Sequence, residues 1–145
     1  MIDRKKFLKY LTYLMFLIFI IDLLALKFYW YFSIWWSDML MHFFGGLWLG
    51  LAFIWFLLRK NISFEPHFQF ICQTISFVLL IGVLWEFFEF FTNNYIGGDR
   101  FNILDTVSDI FFDLAGGTFA ILYFFKKIMI QSKDSPWGNS LKDCP

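Results

Sequence analysis

Apolar residues gather into four runs, at about 7–27, 38–58, 68–91 and 105–125, and ionisable residues fall mostly at their ends. Each run is near the roughly 20 residues that a helix needs to cross the hydrocarbon core of a bilayer. The pattern predicts an all-α integral membrane four-helix bundle, with residues 1–130 as its transmembrane domain and 131–145 as a disordered cytoplasmic tail. The connector at 28–37 is too aromatic for a plain loop, holding Tyr29, Trp30, Tyr31, Trp35 and Trp36, and is expected to lie flat in the head-group layer. Pro66 blocks helix continuation before the third run, and His67 beside it lies too far inward to join any site at the opposite end.

Composition supports the same class: 59% hydrophobic and 25% aromatic residues, with mean hydropathy +0.62, exclude an ordinary soluble domain. A formal net charge of zero, without a basic stripe, excludes nucleic acid as a partner. Cys72 and Cys144 have no spacing suited to a disulfide or zinc framework. The first run follows Arg4, Lys5 and Lys6 as in a signal peptide, but it is long and lacks a small-x-small cleavage site, so it reads as a retained span. Basic residues set the orientation. Arg4, Lys5, Lys6 and Lys9, then Arg59 and Lys60, then Lys126, Lys127, Lys133 and Lys142 mark one side, against Lys27 and Arg100 on the other. The positive-inside rule then predicts a multi-pass protein of the cytoplasmic (inner) membrane, with both termini cytoplasmic and outer loops at 28–37 and 92–104.

Residues 37–46 and 108–117 repeat one polar skeleton: Ser-Asp, three apolar residues, His42 or Asp113, two apolar residues, then Gly-Gly. This predicts two helical hairpins related by a pseudo-two-fold axis along the membrane normal, because spans two and four run in the same direction. In this topology Asp22, Asp38, His42, Glu86, Glu89, Asp105, Asp109 and Asp113 all lie toward the outer ends of their spans. Spacings of three or four place Asp38 with His42, Glu86 with Glu89, and Asp105 with Asp109 and Asp113, each set on one helix face. Gly45, Gly46 and Gly50, and Gly116, Gly117 and Ala120, continue nearly the same faces inward and read as helix-packing positions.

An acidic residue at mid-membrane costs about 2.5–3.5 kcal/mol, less toward the interface, and like charges at short range add repulsion. Arg100, Lys27 and a protonated His42 are too few to balance the carboxylates. Protonated carboxyls, water in an outward funnel, or a metal cation each resolve the imbalance. The metal reading takes Asp38, His42, Glu86, Glu89, Asp109 and Asp113 as ligands of a divalent ion, with Mg, Mn, Ca, Fe and Zn all compatible. Arg100 in the second outer loop reads as an anchor for a lipid phosphate or as the ion-pair partner of Asp99 or Asp105.

The order Asp38-x-x-x-His42, Glu86 with Glu89, Gly98-x-Arg100, then Asp109-x-x-x-Asp113-x-x-Gly116 resembles the VanZ-like and YjdF-like small membrane proteins over about residues 38–117. Glu89 and Asp113 stand where VanZ-like proteins usually have Gln and Asn, which brings the chain closer to the YjdF-like pattern. The VanZ-like name implies glycopeptide-antibiotic tolerance for some members, and the two departures argue against that role here.

Three functions fit these residues. The first is a metal-dependent enzyme acting on a lipid or lipid-linked envelope group, with Glu86 or Glu89 as catalytic base and Arg100 and Asp105 toward the substrate. The second is an ion or proton-coupled carrier, or a metal-binding membrane protein. The third is a non-catalytic assembly partner whose polar core only fixes helix register.

Overall fold

The computed structural model describes residues 4–60, 67–92 and 102–133. Four long helices, α1 (Arg4–Lys27), α3 (Ser37–Arg59), α4 (His67–Thr92) and α5 (Ile103–Lys133), form a four-helix membrane bundle, and each is long and apolar enough to cross a membrane. A single turn, α2 (Trp30–Ser33), sits between the first two. The boundaries exceed the expected spans by up to three residues, except that α5 continues to Lys133, past the predicted span end at 125 and into the predicted tail. Arg100, Pro66 and residues 134–145 lie outside the described residues.

Helix ends follow simple electrostatics and capping. Asp38 and Asp105 occupy the first turns of α3 and α5, while Lys27 and Arg59 occupy the last turns of α1 and α3, each opposing the local end of the helix dipole. Asn102 Oδ1 accepts the Leu104 backbone N–H at 3.2 Å, an N-cap for α5. At the opposite face of the bundle Arg59 lies over Trp55, Lys60 over Phe56 and Lys127 over Tyr123, with the cations 5.6–5.9 Å from the ring centroids. Basic and aromatic residues thus mark that end together, as at a membrane–water boundary.

The parallel helices α3 and α5 are the central pair, α4 packs on both, and α1 packs on the outer side of α3. Close approach in the central pair depends on glycine. A Cβ at Gly46 would overlap the Asp113 backbone, and one at Gly116 would overlap the backbone of Phe43 and Leu47. At Gly50 it would stand 2.8 Å from the Ala120 Cβ. These are contacts that only small residues permit. Toward the basic face the interior is filled by Ile54, Leu57, Phe70, Ala120, Ile121 and Phe124. Phe53 and Phe77 stack beside this cluster at 4.7 Å.

The two hairpins are not equal halves. α4 reaches α3 as well as α5, whereas α1 has no comparable packing on α5 or α4. Their facing residues explain the difference: α4 turns Thr74, Val78 and Gly82 inward, all buried, while α1 faces its neighbours with bulky Phe7 and Leu11 and has small Ala25 buried only near its end.

The α1–α3 connection turns through Tyr29, whose φ of 56° lies in the left-handed region, an uncommon conformation for a bulky residue. Ser37 Oγ donates to the Trp30 carbonyl at 3.1 Å, and Tyr31 Oη donates to Asp22 Oδ1 at 2.6 Å, so α2 is tied to both α3 and α1. Burial first, and then the Asp22 hydrogen bond, push the Tyr31 phenol above its usual range, which keeps it a donor.

Candidate metal site

The repeat brings its two polar runs together at the ends of α3 and α5, and α4 adds its pair of glutamates. His42 is the hub. Its Nε2 lies 3.9 Å from Asp38 Oδ1 and 4.0 Å from Glu86 Oε1, and its Nδ1 lies 3.4 Å from Asp113 Oδ2. Ligand atoms of Asp38, His42 and Asp109 all fall within 4.8 Å of one another, and so do those of His42, Glu86 and Glu89. Opposite donors around a calcium-like ion, bound at 2.3–2.6 Å each, stand about 5 Å apart, so these groups lie at ligand spacing before any contraction.

Burial grades the cluster from outside to inside. Asp105 is exposed, Asp38 and Glu89 are half-buried, and His42, Glu86, Asp109 and Asp113 are buried. Along α5, Asp105 is exposed whereas Asp109 and Asp113, one and two turns further on, are buried, and Asp105 belongs to neither group of ligand atoms. Of the residues expected to line the site, the structure thus gathers Asp38, His42, Glu86, Glu89, Asp109 and Asp113.

Two buried oxygens, Glu86 Oε1 and Asp109 Oδ1, have no hydrogen-bond partner among the described residues. Asp109 is only 2% exposed and Glu86 9%. A buried carboxylate oxygen without a donor is costly, and such an atom in a native structure calls for a proton, a water or an ion. The fit to a cation is chemical as well as geometric, because the set offers carboxylate oxygens and one imidazole nitrogen, the donors that hard and borderline divalent ions take.

Asp113 is set apart by its surroundings. It faces Nδ1 of His42, away from the ring nitrogen that the other carboxylates approach. A carboxylate accepts hydrogen bonds, so this contact favours the tautomer with the proton on Nδ1 and leaves the Nε2 lone pair directed at Asp38 and Glu86. Space for Asp113 comes from Gly82 on α4, where a Cβ would stand 2.6 Å from its Oδ2, and from Gly45, where a Cβ would stand 4.0 Å from its Oδ1. Sequence reasoning passed over Gly82, since a lone glycine in a 26-residue apolar helix carries no pattern.

Asp22 is in neither group of ligand atoms and accepts a hydrogen bond from Tyr31 Oη at 2.6 Å. His67 is at the far end of the bundle, its ring 5.3 Å from that of Phe125. Beside the cluster, α1, α3 and α4 enclose a cavity of about 420 Å³, with His42, Asp113 and Asp22 among its lining residues.

A family model described as "Predicted membrane protein (DUF2238)" matches residues 2–128, nearly the whole helical bundle. No curated protein and no solved structure matches the chain.

Proposed function

We propose, from the premise that this chain belongs to the DUF2238 family of predicted membrane proteins, that it holds a divalent cation in the α3–α4–α5 cluster and acts as a metal-dependent enzyme on a lipid or lipid-linked envelope group. The observation that carries this reading is the pair of buried oxygens, Glu86 Oε1 and Asp109 Oδ1, without a partner among the described residues, in the two groups of ligand atoms that share His42.

In this reading Asp38, Asp109, Glu86 and His42 Nε2 hold the ion, and Asp113 orients the imidazole through Nδ1. A carboxylate behind a ligating histidine is the usual device for fixing its tautomer and ring direction. The bound ion supplies Lewis acidity and neutralises charge that develops on a phosphoryl or acyl oxygen. Glu89, half-buried at the edge of the cluster, serves as the general base that takes a proton from an attacking water. Exposed Asp105 stands at the mouth of the cluster, and Arg100, five residues earlier in the sequence, anchors a phosphate. The resemblance to VanZ-like and YjdF-like proteins rests on these same residues and fits an envelope-directed role at the outer side of the inner membrane.

The apolar cluster from Ile54 to Phe124 supports an enzyme over a carrier. A carrier needs a polar path to the second face, and α5 offers no Asp, Glu, His, Lys or Arg between Asp113 and Lys126.

The test is elemental analysis of protein purified without chelators. The wild-type chain is expected to retain divalent metal near one equivalent or more, and Asp109→Asn to lose it while keeping its helical circular dichroism. Equal metal content in the two folded proteins would remove Asp109 from the site and the metal reading with it.

A further inference from the structure

We propose that the cavity between α1, α3 and α4 is a pocket for one acyl chain of a phospholipid, which enters sideways from the bilayer and brings its glycerol–headgroup region to His42. The assignment deepens the enzymatic reading and rests on it only at the polar end. The pocket itself follows from the shape and lining of the cavity.

Its volume, about 420 Å³, is within the range of about 300–1,000 Å³ typical of small-ligand sites. The lining is divided along its length. Asp22, His42 and Asp113 lie toward one end, and Met15, Leu49 and Ile81 line the apolar remainder. Trp48 seals the α1–α3 side at depth, where its Nε1 donates to the Leu11 carbonyl at 3.0 Å. From Asp22 to Met15 the α1 wall runs seven residues, or about 10 Å. One leaflet of the hydrocarbon core is about 15 Å deep, so the pocket accommodates most of a single acyl chain and is too short for a long polyprenyl tail.

The cavity is open on the side where α1 and α4 fail to pack. Two of its lining residues on that side, Phe19 on α1 and Trp85 on α4, are 55% and 54% exposed. Both stand at membrane depth, so the medium at the opening is lipid chains rather than water. An amphiphile lying there with its chain in the apolar part has its polar junction beside His42 and Asp113, at the inner edge of the proposed metal site.

The experiment uses the full chain in phosphatidylethanolamine–phosphatidylglycerol vesicles containing a phospholipid with a diazirine midway along one acyl chain. After illumination, adducts are mapped by peptide mass spectrometry. Labelling is expected at Ile18 and Ile81 inside the pocket, in addition to lipid-facing Leu80 and Leu122. Leu49→Trp should reduce the interior adducts several-fold without changing those at Leu80 and Leu122, and Met15→Trp, which fills the pocket from the opposite wall, provides the same test should the first variant not fold. Interior labelling no higher than at fully buried Ile54 and Val78, or indifferent to both plugs, would overturn the proposal. So would interior labelling by a diazirine polyprenyl phosphate but not by the phospholipid. Metal content read on the same vesicles separates the two ideas: a labelled pocket in a metal-free chain supports the acyl pocket and counts against the metal site, and an unlabelled pocket in a metal-loaded chain does the reverse.

Discussion

Asp113 is a ligand candidate by sequence and a positioning residue by geometry. Its repeat partner is His42 itself, and the structure sets the two against each other at 3.4 Å. The two roles give different magnitudes. Loss of a carboxylate behind a ligating histidine typically costs about 10–100-fold in metal affinity, whereas loss of a ligand costs the site. Asp113→Asn is therefore expected to weaken metal binding within that range, measured by competition with a metal-sensitive dye, and Asp109→Asn to abolish it. Gly82→Ala should resemble Asp113→Asn, because the three nearest atoms its methyl meets all belong to the Asp113 side chain. If Asp113→Asn proves as severe as Asp109→Asn, Asp113 is a ligand.

Much at this scale was legible in the sequence, because buried carboxylates in apolar helices are rare enough to stand out singly and the repeat pairs them. What was not legible depends on neighbours far along the chain. The notch at Gly82 has meaning only once α4 lies on Asp113, and Asp22 finds Tyr31 only because the chain turns back at Tyr29.

Among the elements, the α3–α5 pair carries both the fold and the site, and its closeness depends on positions without a side chain. Gly46→Leu forces its side chain against the Asp113 backbone, and overpacking of this kind costs about 1–3 kcal/mol or more. The variant is expected to melt well below wild type in detergent, while Gly45→Ala, whose methyl stays 4.0 Å from the nearest Asp113 atom, melts close to it. Equal melting of Gly46→Leu and wild type would show that the two helices do not approach as described. The spans themselves were readable from run length, and the parallel pairing of α3 with α5 from the repeat. The departure from two-fold symmetry was not, since apolar runs alone do not say that α1 packs on one helix and α4 on two.

For the whole molecule, the proposed cation between three helices would be a tertiary cross-link whose binding energy adds to stability. Free metal at a hundred times its dissociation constant stabilises a fold by about 2.7 kcal/mol. Thermal unfolding in micelles should therefore shift upward with added manganese and downward with a chelator. Protons compete for the same carboxylates and imidazole, so the stabilisation is present when these ligands are deprotonated and is lost as pH falls. An identical shift in acid, or in Asp109→Asn, would mean that the metal acts elsewhere.

The partnership of His42 with Asp113 spans 71 residues of chain, and this separation has a consequence for how the protein is made. Synthesis proceeds at about 5–20 residues per second, so α3 precedes the matching turn of α5 by on the order of ten seconds. During that interval Asp38 and His42 are inserted without the helix that satisfies them. Holding the nascent chain at the insertion machinery, or leaving α3 near the interface until α5 arrives, would spare these groups the cost of facing lipid. A polar site split between α3 and α5 makes the order of helix arrival matter, and a chain truncated after α4 would present half of that site to the lipid.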